Sequence, residues 1–196
     1  MKIDKDNVLE SIMKSIEDMK YIQSNSIPNV DLYMDQVTSF MEENLKGYKR
    51  YEDDKLLTKT MINNYVKDGI LPAPEKKKYS KEHLLILVFI YYLKNIISIK
   101  DVEAVIKPIC DKYFHTDDGL DITEIYDTIW SLKPIYTETL NEDLKANYNL
   151  AHSLFETADD EDKEMLKNFA FICALTFDVY AKKQIIESLL DAFQSE

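Results

Sequence analysis

The run Leu84–Leu93, LLILVFIYYL, constrains this chain more than any other feature. It holds ten consecutive apolar residues and no polar face. A bilayer span needs about 20 such residues, and Lys94 ends this run at roughly half that length. A segment apolar on every side must then be enclosed by protein. It reads as a buried central helix, capped by Ser80 and packed among other helices. Composition points the same way. With 3 Gly and 5 Pro in 196 residues, turns are scarce, which favours helices joined by short loops over a many-stranded sheet. A hydrophobic content of 45% supplies a sizeable core and argues against wholesale disorder. The expected fold is all-α, with one small irregular β-hairpin at residues 70–79.

Helical spacing recurs along the chain. Val8, Leu9, Ile12, Ile16, Met19 and Gln23 mark an amphipathic helix within 4–23, broken by SNSIPN at 24–29. Tyr33, Val37, Phe40, Met41 and Leu45 mark a second, starting near Val30 and ending near Gly47, before the loop KRYEDD at 49–54. Thr58 is a good N-cap for a third, and Gly69 is placed to stop it. ILPAPE must be extended or turned, because residues before proline avoid the α region. Ser98 with Asp101 opens another helix, whose buried stripe is Val102, Val105, Ile106, Ile109 and Tyr113, with a kink expected at Pro108. A periodic pattern from Ile122 to Phe155 is interrupted at Pro134. TADDED at 157–162 begins a last helix through Phe169, Cys173, Phe177, Tyr180 and Leu189. These elements suggest an N-terminal helix over 1–27, a domain over 28–115 and an acidic helical hairpin over 116–196.

Several functional classes find no support. His83, His115 and His152 stand apart from any second ligand at metal spacing, so no metal or other cofactor is expected. HTDDG at 115–119 fails as a calcium loop, since Phe114 and Ile125 would fall where acids are needed. Neither a GxGxxG, a GKS/T nor a serine elbow is present, and no enzyme is expected. Cys110 and Cys173 are lone and far apart, which suits a reducing compartment. MKIDKDNVLE lacks the apolar centre of a signal peptide, so the expectation is a cytoplasmic protein with no membrane span.

Charge divides unevenly. Residues 1–110 carry 17 basic and 17 acidic side chains, whereas 111–196 carry 7 and 19, the whole of the net −12. Within Lys55–Lys81, seven lysines stand against Asp68 and Glu75. This is the one locally basic stretch, and its parts come in a telling order. Met61, Ile62, Tyr65 and Val66 face one way on the short helix, while Thr60, Asn63, Asn64 and Lys67 share the opposite, polar face. A glycine turn follows, then the lysine-rich hairpin with Lys76, Lys77, Lys78 and Tyr79, then the apolar helix.

Leu57-Thr58, Met61–Tyr65, Lys67-Asp68-Gly69-Ile70-Leu71-Pro72, Tyr79-Ser80, Leu84–Leu93 and Ser98–Val102 together resemble the DNA-binding half of MerR-type regulators. More closely, LYMDQV (32–37), LTKTMINNYVK (57–67) and PAPEKKKYSKEH (72–83) resemble an uncharacterised bacterial family, domain of unknown function 1836, over about residues 28–115. The MerR likeness implies a winged helix-turn-helix that dimerises through the helices after the winged domain and binds double-stranded DNA. Asn63 and Asn64 would then read bases, since an amide can pair with adenine N6 and N7. Lys59, Lys67, Lys76, Lys77 and Lys78 would hold phosphates, giving affinity without sequence information, with Thr60 and Tyr79 completing the face. The C-terminal helices would supply the homodimer seam and a surface for an effector or protein partner. The rival expectation is a protein-interaction module on the same scaffold that does not bind DNA, which the acidic pI of 4.7 favours.

Overall fold

A computed structural model describes residues 7–19, 21–116 and 119–194. Eight α-helices account for most of them: α1 Val8–Glu17, α2 Met34–Leu45, α3 Lys59–Lys67, α4 Lys81–Leu93, α5 Ile99–Tyr113, α6 Ile122–Trp130, α7 Lys133–His152 and α8 Asp160–Gln194. Two two-residue strands, β1 Leu32–Tyr33 and β2 Lys78–Tyr79, pair antiparallel. The chain divides into two compact units, one of residues 20–131 and one of residues 2–19 with 132–195. No described helix is long and apolar enough to cross a membrane.

In the first unit α4 is the centre. His83, the run Leu84–Val88, Ile90 and Tyr91 are all buried. Val37, Met41 and Leu45 of α2, Ile62 and Tyr65 of α3, Val102, Ile106 and Cys110 of α5, and Ile122 and Tyr126 of α6 supply the surrounding core. Each fully buried side chain of this size contributes roughly 1.5–3 kcal/mol relative to exposure, so enclosing α4 dominates the unit's stability. Helix α6 packs against α4. It is tied to the start of the unit by the Tyr126 hydroxyl, which donates to the Ile22 carbonyl, and by Ser24 Oγ, which donates to Asp127 Oδ2 at 2.7 Å. Trp130 closes this side, its ring parallel to Tyr21 at 5.1 Å and tilted against Tyr92 at 5.1 Å.

In the second unit α7 packs on α8 and α1 on α7. The core is small: Ile16, Leu144, Ala151 and Phe171, flanked by Ile12, Tyr148, Ala170 and Leu175. Many large apolar side chains stay exposed, among them Tyr136 on α7 and Met165, Phe169, Ile172, Phe177 and Tyr180 on α8. At 1.5 Å per residue α8 is about 52 Å long against about 30 Å for α7.

Several sequence expectations are corrected in detail. The first helix is confined to Val8–Glu17 rather than filling 4–23, residues 4–6 and 20 lying outside the described ones. The segment from Val30 enters as strand β1 before α2 begins, because its backbone pairs with β2. The hairpin at 70–79 is not a self-contained pair of strands. Only an isolated bridge, Glu75 to Lys78, spans its turn, and β2 takes Leu32 and Tyr33 as its partners. The long pattern from Ile122 breaks at Ser131–Leu132, while Pro134 falls in the first turn of α7, where its missing N–H costs nothing.

Candidate nucleic-acid interface

Local chemistry fixes α3 at both ends. Thr58 Oγ1 accepts a bond from the Met61 N–H at 3.2 Å, satisfying one of the orphan donors of the first turn. At the other end Gly69 adopts φ +76°, a left-handed conformation that only glycine enters freely. The chain then folds back, and the N–H groups of Ile70 and Leu71 both donate to the Tyr65 carbonyl, at 2.9 and 3.0 Å. Ile70 and Leu71 are buried, so this turn anchors the hairpin against the core.

With Ile62 and Tyr65 committed to the core, the opposite face of α3 is set. Thr60, Asn63, Asn64 and Lys67 are all exposed along it, as the spacing predicts. Lys59, at the first helical position, is also exposed and forms an ion pair with Asp35 in the first turn of α2.

The hairpin turn is strained. Lys76 and Lys77 occupy φ +48° and +64°, and the Lys78 N–H donates to the Glu75 carbonyl at 2.8 Å. Positive φ at both central residues is the pattern of a type I′ turn, whose twist matches that of paired strands. Asparagine or glycine is the usual occupant; each lysine here costs of order 1 kcal/mol in backbone strain.

Beyond the turn the side chains diverge. Lys78 is half-buried, its Nζ 5.3 Å from the centre of the exposed Tyr33 ring. Tyr79 is only 3% exposed, its ring edge-on to His83 at 5.4 Å, and burial pushes its hydroxyl pKa up. It supports the strand from beneath and keeps almost no surface of its own to present.

Between α3 and the hairpin runs an open groove of about 460 Å³. Lys59, Asn63, Lys67, Lys77 and Tyr79 line it together with Met34, Val66 and Pro74. Five of the nine predicted site residues therefore share one concavity, with three lysines around an apolar floor. Thr60 and Asn64 lie on the outer side of α3, Lys76 at the turn, and Lys78 beside Tyr33. Tyr33, Met34 and Asp35 were not expected here. They precede α3 by more than twenty residues and look like the start of an ordinary amphipathic helix, so only the β1–β2 pairing brings them to the face.

Among the described residues no group of three or more His, Cys, Asp or Glu side chains could hold a metal ion. His83 is a structural residue. Its Nδ1 accepts from the Ser80 N–H at 3.0 Å and lies 2.8 Å from Ser80 Oγ, the reciprocal arrangement of a capping box. His115 follows α5 with its N–H bonded to Glu82, and His152 Nδ1 lies 3.0 Å from the Tyr148 carbonyl. Burial holds the Cys110 thiol well above its usual range, up to about 12, leaving it inert.

No curated protein and no solved structure matches the chain. One family does: the profile described as domain of unknown function (DUF1836) matches residues 22–129, more than half of the chain. The match is wider on both sides than residues 28–115. It follows the first compact unit to within two residues at either end, so α6 and the segment before β1 are part of what the family shares. The chain belongs to the DUF1836 family.

Proposed function

We propose that this protein is a DNA-binding transcription regulator built on a MerR-like winged helix-turn-helix, with α3 as the recognition helix and the 75–78 turn as the wing. The observation that carries this reading is the face itself. Thr60, Asn63, Asn64 and Lys67 form one exposed polar surface, and the lysines of the turn stand beside it across a cationic groove. Asn63 and Asn64 are the base readers, and Lys67, Lys76, Lys77 and Lys78 hold phosphates on either side. The apolar surface of α7 and α8 supports the second half of the proposal, a homodimer joined through these helices, since an isologous seam would cover side chains such as Phe169, Ile172 and Phe177.

A second reading keeps the scaffold and drops the DNA. Net charge −12 and pI 4.7 favour a protein-interaction module, because the long-range field of such a chain opposes approach to a polyanion. Selection of bound duplexes from a random pool at low salt separates the two. Enrichment of a common sequence supports the regulator; no retained duplex favours the interaction module.

A further inference from the structure

Asp35 is a carboxylate on the face where phosphates are to bind. It sits in the first turn of α2, beside Met34 of the groove, and its partner is Lys59, the first residue of α3 and itself a groove residue. An acid in this first turn also suits the positive end of the α2 dipole, an effect of about 0.3–1 kcal/mol. The pair is open to water, with the Lys59 side chain 60% exposed and that of Asp35 77% exposed. An ion pair so exposed adds little to stability. Its consequence for binding is larger, because a lysine already neutralised by a carboxylate releases few counterions when a phosphate arrives.

Resting on the DNA reading above, we propose that Asp35 restrains nucleic-acid binding by holding Lys59 out of the phosphate contacts. The working footprint is then Lys67 and the hairpin lysines, and Lys59 is a cation in reserve. Removing the carboxylate returns Lys59 to the phosphate backbone and removes a local repulsion as well. A freed lysine–phosphate contact steepens the slope of log K against log salt by about 0.9. At roughly 0.1 M salt, that slope corresponds to an affinity gain of about five- to tenfold per protomer.

The test uses the full chain and a mixed-sequence duplex, titrated over a range of salt. Asp35→Asn should bind more tightly by that factor, with a slope steeper by about one unit per protomer. In the Asp35→Asn background Lys59→Gln should abolish the steepening of the slope, because the added phosphate contact is that of Lys59. A gain in affinity cannot come from a misfolded variant, so the readout is independent of stability. If the wild type binds and Asp35→Asn binds no more tightly, Asp35 is only a structural link between α2 and α3, and the inference is wrong. A steeper slope that survives Lys59→Gln in the Asp35→Asn background overturns it too, since the gain would then owe nothing to Lys59. A wild type that binds no duplex at low salt overturns the DNA reading, and this inference with it.

Discussion

Replacing His83 with glutamine should flatten the acid side of the stability curve. His83 is 1% exposed at the third position of α4, wedged edge-on between Tyr79 of β2 and Phe114 at the end of α5. Its Nδ1 accepts the Ser80 N–H, which requires that nitrogen to be unprotonated. Burial first, and then the charge of His115, lower its pKa from 6.5 to about 4. The unfolded chain thus takes up a proton near pH 6.5, whereas the folded chain refuses it until about pH 4. Between those values the unfolded state binds more protons, so stability falls as the pH falls. At 1.36 kcal/mol per pKa unit the loss across the window is about 3 kcal/mol. Glutamine at the same position can return the capping bond to the Ser80 N–H without titrating. It fills less of the aromatic pocket, so the variant should start roughly 1–2 kcal/mol weaker at pH 7. That deficit should close, and reverse, as the pH approaches 4. Urea unfolding followed by fluorescence of Trp130, the only tryptophan and part of the same unit, measures both proteins. Parallel stability curves for the two from pH 7 to pH 4 would refute the reasoning.

Two other predictions concern strain and assembly. Lys77→Gly relieves a lysine at φ +64° and should stabilise the first unit by about 0.5–1 kcal/mol in the same urea assay, the gain limited by glycine's freedom in the unfolded chain. Light scattering at tens of micromolar should return about twice the 23.0 kDa chain mass, and Phe169→Glu with Ile172→Glu should return the monomer. A wild type that is already monomeric would remove the proposed seam.

What could be read from sequence was local. Thr58 and Gly69 frame α3 through contacts within one turn, and the exposed stripe of Thr60, Asn63, Asn64 and Lys67 follows from the helical repeat alone. The enclosure of α4 was legible because a run with no polar face has nowhere else to go. What stayed hidden depends on residues far apart. Strand β1 is two residues long and exists because Leu32 and Tyr33 meet Tyr79 and Lys78 more than forty residues later. The same pairing turns Tyr79 inward and brings Asp35 beside Lys59, and no spacing rule announces either. The I′ geometry of the hairpin was concealed by its occupants, since Lys-Lys stands where Asn-Gly would have been the signal. Pro134 misled for a simpler reason: the residue that breaks a helix interior is welcome in a first turn, and only the structure shows where the turn falls.

The central claim is that α3 and the hairpin bind duplex DNA, and its most direct test is the salt dependence of binding with and without the hairpin lysines. The account predicts that the wild-type chain binds at low salt with affinity falling steeply as salt rises. Lys76→Glu, Lys77→Glu and Lys78→Glu together should flatten the slope of log K against log salt by roughly 4 units for a dimer, from two to three lost phosphate contacts in each protomer. Asn63→Ala should leave the slope alone and cost ~1–3 kcal/mol on the selected sequence, with little effect on random DNA. The triple variant should retain the wild-type unfolding free energy within about 0.5 kcal/mol, since Lys76 and Lys77 are exposed and Lys78 only half-buried. A wild type that binds no duplex even at low salt, or a triple variant that binds with the wild-type slope, would contradict the account.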